Sequence, residues 1–502
     1  MYAPIVATPL DVLADRFPIY SKEPWTLKRA ASTYRMAHLG RPLFAAMYEQ
    51  GSAEFKKNIV DFAVVKLLAL GDEVRPEPRK LKYIQKLALL AVRLPFNFRT
   101  ASSSTAADVE RKLVSDHLRL LLYADVGFAR VVTASASEPL LAEASCSYTI
   151  PYRWKNPPSE RFDFYSMLAE RVSSSQLDLG TRGEMLGAKI TLDARDRAVA
   201  APSAAPACPQ DLREDGASRL STVVQYLRAL IPTQYHATLD SLPASYVDDE
   251  QDTPLEDAFK DGFVYFNHYV KVDSFDAITQ EFLLLGLTRG AALVCADGQN
   301  GFDLVIPILI GDKLEKSKVT AIFIQVKTST RFGNTLHGPL FHCINPRDGT
   351  PPFFLEAMQK PPPIIRMIFA LAAPAQKLSV LVRPQTRSSS RPSKQSGFTA
   401  YDIWFSGASR ETFGVIQSEA EEKSIATILS TMREQRDVIH AYTEDKTVRA
   451  AVRQMQPLAS SEDDYTADWV DYTPTNDASI HGADHEDKGS AMVVEDSVDV
   501  QE

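Results

Sequence analysis

Four polar residues in the C-terminal half of the sequence border apolar, strand-like or helix-like runs. Asp303 opens one strand-like run, Gln325 and Lys327 lie at the end of the next, and Glu281 lies on a helix-patterned segment before both. Side chains alternate across a strand, so Gln325 and Lys327 share a face, and a hairpin can bring Asp303 beside them. Glu281 can reach the same edge if its helix packs on the sheet.

Two carboxylates and one amide carbonyl are the oxygen ligands that a hard cation such as Mg²⁺ prefers. A bound cation polarises a phosphate and lowers the pKa of an attacking water. Lys327 can orient that water or offset negative charge as it develops on phosphorus. Asp303, Gln325 and Glu281 therefore form a candidate magnesium site. A structural interpretation stays open, because an aspartate that starts a strand is often a turn residue and a strand end is often a solvated edge.

The hydrophobic pattern indicates the elements that must position these residues. Phe275–Leu287 has helical spacing and is followed by three β-like runs, at Ala291–Ala296, Phe302–Ile310 and Val319–Lys327. Because short turn-rich pieces separate the three runs, they favour an antiparallel meander with helices packed on its faces. Ile364–Ala373 and Ala400–Gly407 can add further strands.

The N-terminal region has a different pattern, with apolar residues at helical spacing. The helical patterns cover residues 59–68, 81–94, 109–123 and 182–195. An Ala- and Pro-rich stretch follows, with no periodicity, which is typical of a linker. The sequence therefore predicts a helical domain over residues 1–196, a linker over 197–217 and an α/β domain over 218–455. The fold class is α+β, in several domains.

The net charge of −9 argues at first against a nucleic-acid partner, whose protein is usually basic. However, Ser461–Glu502 holds thirteen acidic residues and one lysine, which leaves +3 on the rest of the chain. Residues 456–502 are poor in large apolar side chains, so we predict a disordered acidic tail. The tail can bind a protein partner or serve only to keep the chain in solution. The body of the chain is compatible with nucleic acid.

Residues 383–397 predict a basic loop between two strand-like runs. Its cations are Arg383, Arg387, Arg391 and Lys394. These side chains can contact a nucleic-acid backbone through charge alone. The alternative is a solvated loop, because no aromatic residues are interleaved with the cations.

The four cysteines lie far apart and form no CxxC pair, which favours reduced thiols over a disulfide scaffold or a zinc site. The first sixteen residues lack the basic and apolar regions of a signal peptide. The longest apolar runs are shorter than the roughly 20 residues that span a bilayer. We therefore expect an intracellular protein of the cytoplasm or nucleus, with no membrane partner.

The residues Glu281, Gly301-Phe302-Asp303 and Gln325-Val326-Lys327 together resemble the PD-(D/E)xK nuclease superfamily. The QxK form is similar to its Mrr-like members. The sequences that flank this motif, together with TRGEMLGAK in the N-terminal region, also resemble fungal crinkler and retrotransposon-hot-spot proteins. In those proteins an ATPase module precedes the nuclease domain. This chain contains no GxxxxGK[ST] loop, so the resemblance implies an ATPase-lid-like remnant without the ATPase core.

What the resemblance implies is a restriction-endonuclease-like domain with an α-β-β-β-α-β core and a mixed sheet. It also implies magnesium-dependent endonuclease activity, with DNA as the substrate, and a homodimer, because many such nucleases act as dimers. Two alternatives stay open. One is a non-catalytic interaction or effector module derived from a mobile element. The other is DNA binding without cleavage.

Overall fold

A mixed β-sheet between two layers of helices organises the chain in the computed structural model. The structure describes residues 25–71, 76–95, 104–124, 131–149, 164–173, 182–200, 215–247, 252–296, 299, 301–328, 332, 336–348, 352–354, 358–380 and 397–429. Residues 201–214 of the predicted linker and nearly all of the predicted basic loop lie outside these residues, and the predicted tail lies entirely outside them.

Helices dominate the first 200 residues and frame the sheet in the rest. The helices are α1 (Leu27–Ala30), α2 (Thr33–Ala37), α3 (Pro42–Gln50), α4 (Ala53–Lys57), α5 (Ile59–Leu68), α6 (Tyr83–Ala91), α7 (Ser104–Asp116), α8 (Pro139–Thr149), α9 (Phe164–Ser173), α10 (Arg182–Ala200), α11 (Val223–Leu230), α12 (Leu255–Ala258), α13 (Gln280–Arg289) and α14 (Gly338–His342). In the described part of the chain, no helix is long and apolar enough to cross a membrane.

The strands form a hairpin and one large sheet. They are β1 (Leu120–Ala124), β2 (Val131–Ala134), β3 (Ser221–Thr222), β4 (Gly262–Val264), β5 (His268–Lys271), β6 (Ala291–Val294), β7 (Leu304–Ile310), β8 (Val319–Lys327), β9 (Ile364–Ala370), β10 (Lys377–Val380) and β11 (Ala400–Ser406). The large sheet has the order β10-β11-β9-β8-β7-β4-β3, with β6 also paired to β7 and β5 paired to β6. The strands β1 and β2 pair with each other.

The centre of the sheet is the predicted meander. Strands β6, β7 and β8 pair antiparallel in chain order, whereas β9 lies parallel to β8 and β11 lies parallel to β9. In chain order the elements are α13, three meander strands, the short α14 and the parallel strand β9. The prediction of an α+β fold with a mixed sheet is confirmed.

Both faces of this sheet are covered, which explains why its strands are apolar at nearly every position. Ile322 and Ile324 of β8 face a core that includes α10 and α11, while Ala321 and Phe323 face a core that includes α13 and α14. This alternation follows from the two-residue period of a strand. It leaves only the strand ends for polar side chains to reach solvent.

The predicted strands are confirmed within a few residues, and so are the helices α5, α6, α10 and α13. The helix predicted over residues 109–123 is wrong in its second half. There α7 ends at Asp116, Leu118 has a φ of 60° and the chain enters β1. A left-handed residue cannot continue a right-handed helix, so Leu118 ends it. The described part of the N-terminal region is therefore helical with one β-hairpin.

The predicted linker does not separate two cores. The described residues between Trp25 and Leu429 form one compact unit, and within it a single apolar cluster joins the N-terminal helices to one face of the sheet. Buried polar contacts cross the same boundary. Arg93 donates to the backbone oxygen of Asn267 at 2.8 Å, and Glu143 of α8 lies 3.5 Å from Arg219. Helical region and sheet therefore share one interior.

Candidate functional site

The candidate site lies where β7 begins and β8 ends. Because these strands are antiparallel neighbours, the start of one lies beside the end of the other. Leu304 pairs with Ile324, and the backbone N–H of Asp303 donates to the oxygen of Ile324 at 2.8 Å. The residues Asp303, Gln325 and Lys327 are therefore brought to one end of the sheet, as their spacing predicts.

The Asp303 carboxylate is fixed by the backbone. Its Oδ2 accepts a hydrogen bond from the Val326 N–H at 2.6 Å. Burial raises the pKa of Asp303. The hydrogen bond from Val326 and the ammonium groups of Lys327 and Lys271 lower it, but by less than burial raises it. Both lysines are thus close enough to act on the charge of this carboxylate.

Gln325 carries a buried acceptor that has no partner in the described structure. The residue is 7% exposed, and its Oε1 is buried without a hydrogen bond. A buried acceptor of this kind is costly unless a water, ion or ligand satisfies it. Lys327, two residues further on the same face, is partly exposed, and its Nζ lies 6.0 Å from the Phe332 ring centroid. The site is therefore open to solvent on one side.

Glu281 is not brought to this end of the sheet. Its helix α13 begins beside the opposite end of β8, because the Gln280 side chain donates to the Val319 oxygen at 2.8 Å. The Glu281 carboxylate is 54% exposed and lies 3.1 Å from the ammonium of Lys316. Lys327 is eight residues further along β8, or about 26 Å away at roughly 3.3 Å per residue. The placement of Glu281 predicted from sequence is therefore corrected.

A different carboxylate, Glu184, approaches from the helical region. Two glycines allow its helix α10 to lie directly on the sheet: a Cβ added to Gly183 would lie 2.5 Å from Thr328, and one added to Gly187 would lie 3.1 Å from Val326. Glu184 occupies the first turn between these glycines. Glu184 was not predicted from the sequence, although this spacing of glycines in the helix is a detectable signal of close packing.

Glu184 and Asp303 converge on the ends of β5 and β6. Lys271, the last residue of β5, lies 3.4 Å from the Glu184 carboxylate. Burial raises the pKa of the Cys295 thiol, just beyond β6, and the charges of Asp303 and Glu184 raise it further. We call these five residues, Asp303, Gln325, Lys327, Glu184 and Lys271, the strand-end cluster.

The strand-end cluster fits a hard cation in part. Asp303 and Gln325 offer oxygen atoms, and the unpartnered Gln325 Oε1 is the atom that a ligand would satisfy. The Glu184 carboxylate is engaged by Lys271 in the structure. Among the residues that the structure describes, no group of three or more His, Cys, Asp or Glu side chains is arranged to hold a metal.

The basic residues Arg383, Arg387, Arg391 and Lys394 lie outside the described residues, so their contact with a nucleic-acid backbone stays a prediction. Neither family profiles, nor curated proteins, nor solved structures gave a match to this chain.

Proposed function

We propose that the strand-end cluster is the centre of a magnesium-dependent nuclease that hydrolyses phosphodiester bonds in DNA. One observation carries the proposal: Asp303, Gln325 and Lys327 lie at the same end of two adjacent strands. The order α13, β6, β7, β8, α14, β9, with β9 parallel to β8, supports it, because the PD-(D/E)xK resemblance implies that order. A nuclease-like fold is part of the proposal.

In this proposal, Asp303 and Gln325 hold the cation, and Glu184 takes the role first assigned to Glu281. When bound, Mg²⁺ would supply a Lewis acid for the phosphate and a more acidic water. Lys327 would place its ammonium against the charge that develops on the phosphate oxygens. Lys271 would hold the Glu184 carboxylate in place.

The test is cleavage of supercoiled plasmid DNA by the full chain with Mg²⁺, with and without EDTA. Lys327→Ala and Glu184→Gln should each reduce the rate by about 100-fold or more, in the range typical of a lost electrostatic contact to a transition state. Glu281→Gln is the matched control, because it makes the same chemical change at the other end of β8 and should cleave like the wild type.

Two results would refute the assignment. One is equal cleavage, or equal inactivity, of the wild type and Lys327→Ala. The other is a loss in Glu281→Gln as large as that in Glu184→Gln. RNA and single-stranded DNA of the same sequence, offered in parallel, identify the preferred substrate.

The charge balance of the cluster favours a second candidate, a non-catalytic interaction module. Two ammonium groups, on Lys271 and Lys327, offset the two carboxylates, so the cluster has no net negative charge to attract a cation. This alternative predicts that plasmid DNA stays intact at every Mg²⁺ concentration. It also predicts that Glu184→Gln changes the affinity for a partner without any effect of EDTA.

A further inference from the structure

A second polar constellation lies at the other end of β5, away from Lys271. Ser137 Oγ lies 2.8 Å from His268 Nε2, and His268 Nδ1 lies 2.8 Å from Asn267 Oδ1. Both distances are in the range expected when a base is hydrogen-bonded to a nucleophile and is oriented by a third group. The proposed nuclease does not use any of these three residues.

The surrounding groups fix the direction of each hydrogen bond. The Nδ2 of Asn267 faces two acceptors, the Pro139 oxygen at 3.0 Å and the Glu143 carboxylate at 3.4 Å. The Asn267 Oδ1 must therefore face His268 and accept from its Nδ1–H. His268 Nε2 then has a free lone pair and accepts the hydroxyl proton of Ser137. This is the tautomer that a general base needs. Burial and the charges of Arg289 and Arg93 lower the pKa of this imidazole to about 3, so it is a weak base that takes the proton only as the new bond to the serine oxygen forms.

A cation and a helix terminus lie beside the hydroxyl. Arg289 donates from Nε to Ser137 Oγ at 3.2 Å and from Nη2 to the Ser137 backbone oxygen at 2.5 Å. Helix α8 begins two residues later, at Pro139, so its positive end is close to Ser137. Both features favour negative charge on the serine oxygen. Ser137 is partly exposed, whereas His268 is only 1% exposed.

We infer that Ser137 is an acyl-transfer nucleophile, with His268 as its base and Asn267 as the orienting residue, and that it takes small acyl esters. The Ser137 oxygen forms a bond to the acyl carbonyl carbon as its proton passes to His268 Nε2. The ester C–O bond then breaks, and the alcohol leaves with that proton. Water, deprotonated by the same nitrogen, releases the carboxylic acid and restores the serine.

This inference is independent of the proposed nuclease. His268 and Lys271 are three residues apart on β5, or about 10 Å at roughly 3.3 Å per residue. A failed nuclease test leaves the Ser137 site untouched, and a failed acylation test leaves the strand-end cluster untouched.

The experiment uses the full chain, a fluorophosphonate probe and p-nitrophenyl acetate, with intact mass and peptide mapping as readouts. We expect one phosphonate adduct per chain, on Ser137, with loss of fluoride. Ser137→Ala should give none, and His268→Gln should react about 100-fold more slowly or worse. Ser135→Ala is the matched control: it removes a neighbouring hydroxyl, which accepts from Arg119 at 2.9 Å, and should react like the wild type.

Unfolding tests the geometry without any substitution. When the wild type is treated with the probe in concentrated urea, Ser137 should form no adduct, because its reactivity depends on His268 being held beside it. The inference is overturned if the folded wild type gives no adduct on Ser137. It is also overturned if His268→Gln, or the unfolded wild type, labels Ser137 at the native rate. The three residues would then serve only to link α8 to the sheet.

Discussion

The stability of the folded chain should fall at acid pH because His268 is buried in its neutral form. Burial, together with the positive charges of Arg289 and Arg93, lowers the pKa of this imidazole to about 3. In the unfolded chain a histidine titrates near 6.5. Between these values the unfolded state binds one more proton than the native state, so stability falls as the pH falls below about 6.5. Well above pH 6.5 the imidazole is neutral in both states, so this loss of stability is absent there.

The expected magnitude follows from that proton. Between pH 7 and pH 5 the histidine of the unfolded chain changes from mostly neutral to almost fully charged. This change lowers the free energy of unfolding by about 2 kcal/mol. Below pH 6 the slope approaches about 1.4 kcal/mol per pH unit. The assay is urea unfolding of the wild type and of His268→Gln at pH 7, 6 and 5. His268→Gln should lack this part of the slope.

A comparison of slopes is needed because other groups titrate in the opposite sense. Burial raises the pKa values of the Glu138 and Asp402 carboxyls, so their contributions grow more favourable as the pH falls. Both carboxyls are present in the wild type and in His268→Gln, so their contributions cancel when the two pH slopes are subtracted. Ser137→Ala breaks a hydrogen bond but keeps the imidazole, so it should retain the wild-type slope. If the wild type and His268→Gln lose equal stability between pH 7 and pH 5, His268 is not held neutral by the fold.

Two further stability predictions concern packing around the sheet, and both are read from denaturant midpoints. Asp402→Ala should destabilise the chain by about 3–5 kcal/mol, because it leaves the buried Arg366 guanidinium without the carboxylate that it contacts at 2.6 and 2.8 Å. Glu256→Ala, which breaks an exposed ion pair, should cost less than about 1 kcal/mol, and equal losses would contradict the argument. Gly187→Leu should cost about 1–3 kcal/mol by overpacking the contact of α10 with β8. Gly338→Ala adds a Cβ that meets no atom within 4 Å, so a loss as large as that of Gly187→Leu would show that the close contact is not the cause.

The meander could be predicted because its signal is local. The strands β6, β7 and β8 are short apolar runs bounded by turn residues, and covering both faces of a sheet makes such runs nearly continuous. Asp303 and Lys327 follow directly, since a residue at the start of one strand must lie beside the end of its antiparallel neighbour. No information beyond strand order is needed for that step.

The rest of the cluster depends on tertiary packing that the spacing does not encode. Glu281 lies in the first turn of α13, and periodicity does not tell which end of the sheet a helix start will face. Gln280 decides it by bonding to Val319, at the far end of β8. Glu184 reaches the cluster only because α10 crosses the sheet, a contact between segments on opposite sides of the predicted linker. Local periodicity cannot report such a contact.

Both candidate sites take a residue from the N-terminal helical region. Glu184 comes from α10 and Ser137 precedes α8, while their partners Lys271 and His268 lie at the two ends of β5. The same region covers one apolar face of the sheet. A fragment limited to residues 218–455 would therefore expose that face and lose one essential group from each site. Its inactivity would say nothing about either chemistry, so only single substitutions in the full chain can separate the proposed functions.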